Sequence, residues 1–177
     1  MWDESKSIES IIGCLSHAGR IIMEVYHAGE TATEVEWKSD SSPLTIADKR
    51  SHHYLVDQLA LLDHATPVMS EESEQADYAI RKDWLRYWCL DLLDGTRECI
   101  RRDGQFTINL ALIENAISVL AFIHVPLTGA TYWAKKNGGA FVHDGKINAP
   151  IRANCKDSNW IAVGSSSHGT EAELEWM

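Results

Sequence analysis

The chain has 177 residues, 45% of them hydrophobic and 24% charged, and its 16 Lys and Arg against 26 Asp and Glu give a formal net charge of −10. That length supports one hydrophobic core and part of a second, and the acidity excludes a nucleic-acid surface, because polyphosphate chains are held in basic grooves. One small phosphate ester is not excluded, since bound cations reverse the local field and acidic ligands are what bind them. No apolar stretch approaches a transmembrane span, and the first helical segment, interrupted by Glu9, Gly13, His17, Gly19, Arg20 and Glu24, lacks the basic end and cleavage site of a leader. A cytoplasmic protein without an export signal is expected. Cys14, Cys89, Cys99 and Cys155 have no Cys-x-x-Cys pairing and read as reduced, mostly buried thiols, and the eight histidines show no metal-ligand spacing.

In chain order, Ile8, Ile11, Ile12, Leu15, Ile22 and Val25 predict a core-facing helix over about Ser5 to His27. A second helix, about Asp48 to Leu62, sets Tyr54, Leu55, Leu59 and Leu62 on one face and Asp48 in its first turn. Strands follow near Val68, then over Tyr87 to Leu92, Phe106 to Ile113, Ile117 to Val125, Tyr132 to Ala134 and Ala140 to His143. Glu114-Asn115 and Gly138-Gly139 read as hairpin turns. Helices first and strands after imply an α+β fold, with helices packed on a mostly antiparallel sheet. Residues 1–150 are read as an N-terminal α+β domain with a boundary within Asn148 to Ser158. Residues 151–177, with Trp160 to Gly164 and a helix from near Gly169, are read as the start of a C-terminal α/β domain.

The stretch from Trp88 to Ile100 carries the chemistry. Asp91 and Asp94 stand where an apolar strand stops, so a tight turn can aim both carboxylates at one hard cation; magnesium prefers a few carboxylates, water and phosphate oxygens. Gly95 and Thr96 then open a short helix whose free N–H groups favour a phosphate. In isolation the same motif also reads as a turn at Asp94-Gly95 with Thr96 capping a helix. Upstream, Pro67-Val68-Met69-Ser70 is a short apolar run ending in Glu71 and Glu72, which delivers a third carboxylate. Alone, that pair would be a solvated strand end, and Asp48 a dipole-compensating acid.

Taken in order, these segments resemble the magnesium-dependent, lithium-sensitive phosphatases typified by inositol monophosphatase. The resemblance rests on Ser42-Pro-Leu-Thr-Ile-Ala-Asp48, Ser70-Glu-Glu72, Trp88-Cys-Leu-Asp-Leu-Leu-Asp-Gly-Thr-Arg-Glu98 and Gly104-Gln-Phe-Thr-Ile-Asn-Leu-Ala-Leu-Ile113. Within the family, Arg97-Glu98, Gly104-Gln-Phe-Thr107, Val125-Pro126 through Thr131-Tyr-Trp-Ala134, and Val163-Gly-Ser-Ser-Ser-His168 are similar to the CysQ-type 3′(2′),5′-bisphosphate nucleotidases of sulfur metabolism. The family pattern continues beyond the position of Met177 into a second α/β domain whose Trp-Asp-x-Ala-Ala-Gly-like motif does not occur here. The chain departs from the pattern at Leu92, where the family has Pro, at Cys99, where it has an aromatic residue, and at Ser166, where it has Arg.

The resemblance implies an inositol monophosphatase-like fold and hydrolysis of 3′-phosphoadenosine 5′-phosphate to AMP and phosphate. It implies that Glu71, Asp91 and the Leu93 carbonyl hold one magnesium ion, and that Asp91 and Asp94 share in holding a second. It also implies that Thr96, hydrogen-bonded to Asp48, orients and deprotonates water, that Gly95 and Thr96 meet the phosphate, and that Glu72 stands behind the ligands. The expected partner is a small phosphorylated nucleotide, with a homo-oligomer or a second chain completing the C-terminal domain. Two other readings stay open: an inositol-phosphate or sugar-phosphate phosphatase, and a truncated, non-catalytic paralogue that binds a cation or phosphonucleotide.

Overall fold

The computed structural model describes residues 4–27, 35–37, 43–74 and 76–153. Helix α1 (Glu4–His27) is followed by strands β1 (Val35–Trp37) and β2 (Pro43–Thr45), helix α2 (Ile46–Leu62), strand β3 (Val68–Ser70) and the one-turn helix α3 (Tyr78–Arg81). Then come β4 (Arg86–Asp94), α4 (Thr96–Arg101), β5 (Thr107–Glu114), β6 (Ile117–Val125), β7 (Ala130–Lys135), β8 (Gly139–His143) and β9 (Asn148–Ile151). β1 and β2 form an antiparallel pair, and the other seven strands form one sheet in the order β3-β4-β5-β6-β7-β8-β9. All its pairings are antiparallel except β3 with β4. The expected α+β architecture is therefore present.

One face of the sheet is closed by α1 and α2. The buried residues Ile11, Leu15, Ala18, Ile22 and Val25 recur at helical spacing along α1 and, with Leu55 and Leu59 of α2, meet the alternate residues Trp88, Leu90 and Leu92 of β4. Ile108, Leu110 and Leu112 of β5 and Leu120 and Phe122 of β6 continue this layer. The residues between them face the other side of the sheet, so Cys89 and Asp91 on β4, and Thr107 and Asn109 on β5, lie opposite the helices.

Two details differ from the sequence reading. The first hairpin turn is Asn115-Ala116, one residue later than expected, with φ of 50° and 61° at its two central residues, the left-handed pair that a two-residue hairpin requires. Within the stretch expected to link two domains, Asn148–Ile151 is the outermost strand, paired to β8 and tied by Trp133 Nε1, which donates to Asn148 Oδ1 at 2.9 Å. Residues 154–158 of that stretch, and the segments expected at Trp160 to Gly164 and from Gly169, lie outside the described residues. Cys14, Cys89 and Cys99 are free thiols, and no described helix is long and apolar enough to cross a membrane.

Candidate metal and phosphate site

The parallel pairing of β3 with β4 decides where the acidic residues meet. Val68 lies opposite Trp88, Met69 opposite Cys89 and Ser70 opposite Leu90, so Glu71, the first residue beyond β3, comes level with Asp91. Asp91 and Asp94 are an odd number of residues apart and would face opposite sides of a regular strand. A bulge changes that: Asp91 stands opposite Asn109 and Asp94 opposite Thr107, so three steps on β4 match two on β5. Both carboxylates therefore share the face of Asn109 and Thr107. The consecutive burial of Leu92 and Leu93, 1% and 3% exposed, marks the same extra residue.

Hydrogen bonds hold this face in order. Asn109 Nδ2 donates to Asp94 Oδ2 at 3.0 Å, and Thr107 Oγ1 donates to Asn109 Oδ1 at 3.2 Å, which orients the amide with its nitrogen toward the carboxylate. Leu93 N donates to Asp91 Oδ1 at 3.3 Å. Gly95 caps α4 with φ 93° and ψ 39° and no side-chain cap. A Cβ there would stand 2.6 Å from the Gln105 carbonyl oxygen and 3.2 Å from Phe106 Cα, so glycine is required by both conformation and space.

Thr96 does not make the expected bond to Asp48. Its Oγ1 donates to the Leu93 carbonyl at 3.0 Å, because at the first position of α4 the carbonyl three residues back is within reach of a hydroxyl that has only one proton. The same bond engages the carbonyl expected to be a ligand. Asp48 is buried, 3% exposed, and near enough to α4 for its charge to act on Cys99. Burial pushes the Cys99 thiol up to about 11, the Asp48 carboxylate adds to this, Arg102 opposes it and Asp103 adds again. Burial and then Asp91 also raise the Cys89 thiol. Both sulfurs therefore stay protonated at neutral pH and are poor nucleophiles.

Behind Glu71 and Glu72 the structure places a residue that sequence reading did not single out. His52 Nδ1 is 3.2 Å from Ser70 Oγ, and Ser70 Oγ accepts from the half-buried Glu72's N–H at 3.3 Å. Burial lowers the His52 imidazole below its ordinary value, His53 adds to this and Glu72 opposes it. The one signal in the sequence was its position four residues after Asp48, on the same helical face.

Among the described residues, no three His, Cys, Asp or Glu side chains gather closely enough to hold a metal ion between them. Glu71, Asp91 and Asp94 instead offer hard oxygen donors at neighbouring strand ends in an open arrangement. That donor chemistry fits magnesium, which keeps waters and takes phosphate oxygens to complete its shell. A separate cavity of about 240 Å³, lined by Met69, Tyr78, Arg81, Lys82, Trp84 and Tyr87, sits at the start of β4. At about 3.3 Å per residue, Tyr87 is roughly 13 Å along the strand from Asp91, so this cavity is not where the carboxylates converge.

A model of the inositol monophosphatase family matches residues 3–174. The chain is 40% identical over 167 residues to the 3′(2′),5′-bisphosphate nucleotidase CysQ of Salmonella typhimurium, covering 94% of this chain and 66% of that protein. It is 34% identical over 168 residues to CysQ of Escherichia coli K12, covering 95% and 66%. The crystal structure of CysQ from Bacteroides thetaiotaomicron, a bacterial member of the inositol monophosphatase family, matches with a TM-score of 0.79 and 31% identity, over 99% of this chain and 68% of that one. The chain thus spans just under two thirds of the length of these curated relatives. With fold and sequence agreeing along nearly all of it, the chain belongs to the inositol monophosphatase family.

Proposed function

We propose that this chain carries the metal-binding side of a magnesium-dependent phosphomonoesterase that converts 3′-phosphoadenosine 5′-phosphate and water to AMP and phosphate. The observation that carries the reading is the β4 bulge, which turns Asp91 and Asp94 to one face beside the end of β3, where Glu71 follows. The bisphosphate nucleotidase names of relatives at 34% and 40% identity support the substrate class.

Glu71, Asp91, Asp94 and the Leu93 carbonyl would hold magnesium, two ions in the full reading. When bound, magnesium supplies a Lewis-acid centre that offsets negative charge on the phosphoryl oxygens. Asn109 holds Asp94 in place by donating to one of its oxygens. Thr96 Oγ1, whose proton is engaged by Leu93, keeps its lone pairs to accept a hydrogen bond from the attacking water. The Thr96 to Leu93 bond has to open before Thr96 can hand a proton to Asp48, while the Leu93 carbonyl keeps a second lone pair for the cation throughout. Asp48, shielded from solvent, is the proton acceptor at the end of that path. Gly95 and Thr96 N–H groups at the start of α4 would meet the phosphate, and Glu72 supports the turn that carries Glu71.

The deciding experiment is phosphate release from 3′-phosphoadenosine 5′-phosphate by the purified chain with magnesium, with EDTA, and with magnesium plus lithium, beside inositol and sugar phosphates. Magnesium-dependent, lithium-inhibited turnover of the nucleotide above the other esters is the expected result. Preference for an inositol or sugar phosphate would replace the substrate assignment, and magnesium binding without any turnover would make this chain a binding protein.

A further inference from the structure

Helix α2 brings to the site a second side chain that the metal motif does not contain. His52 lies one turn after Asp48 on the same helical face, is 8% exposed, and places Nδ1 3.2 Å from Ser70 Oγ. Ser70, the last residue of β3, is 2% exposed, and its hydroxyl oxygen accepts from Glu72 N at 3.3 Å. The same hydroxyl shares a hydrogen bond with His52 Nδ1, in the direction that the imidazole tautomer sets. The Ser70 carbonyl accepts both Ser73 N, at 3.3 Å, and Ser73 Oγ, at 3.2 Å. A four-residue turn with Glu71 at its second position is thus closed through both polar groups of Ser70. β3 is a three-residue strand at the edge of the sheet, so the ladder alone constrains the chain beyond it weakly.

We propose that His52 is a positioning residue: by holding the Ser70 hydroxyl it fixes the turn that presents Glu71 to the divalent cation, and so couples the helix carrying Asp48 to the metal side of the site. This rests on the reading of Glu71 as a magnesium ligand. A buried histidine that only fills space would affect stability without affecting the cation, which gives the two roles different signatures.

The test is calorimetric titration of the full chain with magnesium, and with manganese followed by electron paramagnetic resonance, alongside thermal melting. The proteins compared are the wild type, His52→Leu, His52→Asn, Ser70→Ala, the His52→Leu/Ser70→Ala double variant and Glu71→Gln. His52→Leu and Ser70→Ala should each weaken cation binding by about 10- to 100-fold, the usual effect of removing a group that orients a ligand. The double variant should be no weaker than the worse single one, because both act through one bond. His52→Asn, whose amide can occupy the place of Nδ1, should recover most of the loss. In turnover, the magnesium activation constant should rise while the nucleotide KM at saturating magnesium stays put. Unchanged cation affinity in folded Ser70→Ala and His52→Leu, together with lower melting temperatures, would overturn the proposal and leave Glu71 as a ligand. Should Glu71→Gln bind as well as the wild type, or the wild type bind no divalent cation, the ligand assignment fails and this inference fails with it. If His52→Leu does not fold, Ser70→Ala decides: weakened cation binding supports the proposal and unchanged binding overturns it.

Discussion

Asn109 donates to Asp94 while standing in register opposite Asp91, so one amide on β5 is bracketed by both carboxylates of β4. The amide can do this only because the bulge brings Asp91 and Asp94 to the same face. Asn109→Leu should weaken magnesium binding by about 10- to 100-fold, since a group that orients a ligand is removed and the ligand stays. Asp94→Asn should remove most phosphatase activity. Neither residue belongs to the buried core, so melting temperatures should move little. Phosphate release against magnesium concentration, read with a thermal melt of each variant, checks both. Full activity in Asp94→Asn would end the metal assignment.

Gly95 joins the bulged end of β4 to α4 in a conformation closed to other residues. Gly95→Ala faces a φ of 93° and a Gln105 oxygen 2.6 Å from the new Cβ, and that oxygen belongs to backbone that cannot rotate away. The cost is on the order of 1–3 kcal/mol, comparable with other strained backbone positions. Chemical denaturation should show this loss, and activity should fall further than stability, because Asp94 and Thr96 flank the distorted residue. A variant with unchanged midpoint and activity would mean that the turn tolerates a different path.

The legible part of the fold was the part with long periodicity. The α2 bounds expected from the sequence fall within two residues of Ile46–Leu62, and Ile117–Val125 matches to the residue, because both runs are long enough for a period to be read. β1, β2 and α3, at three, three and four residues, are too short to carry a period. β9 is Asn-Ala-Pro-Ile, which reads as a loop, and is held by long-range pairing and by Trp133. The carboxylates were visible from residue type and spacing. Their convergence was expected from a tight turn, but the bulge that produces it was not, because Leu92-Leu93 gives no sign of one and the pairing that reveals it is made with residues thirteen or more positions away. The Thr96 bond to Leu93 was hidden for the opposite reason: it is local, and competes with the longer-range contact to Asp48 that the family resemblance suggests.

Arg86 ties three segments at the start of β4. It pairs with Asp63 at 3.3 Å just after α2 and with Glu114 at the end of β5, and donates through Nε to Thr66 Oγ1 at 3.3 Å before β3. Its side chain is 37% exposed, so solvent screens the charges and the network contributes only about 1 kcal/mol. Arg86→Ala should lower the denaturation midpoint modestly at low salt, with the gap to wild type narrowing in high salt. A gap that does not respond to salt would assign the effect to lost packing of the arginine stem.

His124 is the buried group whose titration the fold opposes most directly. It is 1% exposed on β6, its Nδ1 lies 2.9 Å from Thr131 Oγ1, and α1 approaches so closely at Gly19 that a Cβ there would stand 2.5 Å from its Nε2. Burial lowers its imidazole to about 4, against 6.5 for the unperturbed group. Between those values the unfolded chain holds the extra proton and the folded chain does not, so stability falls as pH drops through this window. The contribution is fully present above about pH 6.5 and its loss amounts to at most about 3 kcal/mol near pH 4. Urea midpoints of wild type and His124→Gln at about pH 7 and pH 5 should show the steeper decline in wild type, carboxylates being common to both proteins. Gly19→Ala should be destabilised at either pH, since its methyl group meets the imidazole whether or not it is charged. Parallel pH profiles for wild type and His124→Gln would show that the imidazole takes its proton inside the folded protein.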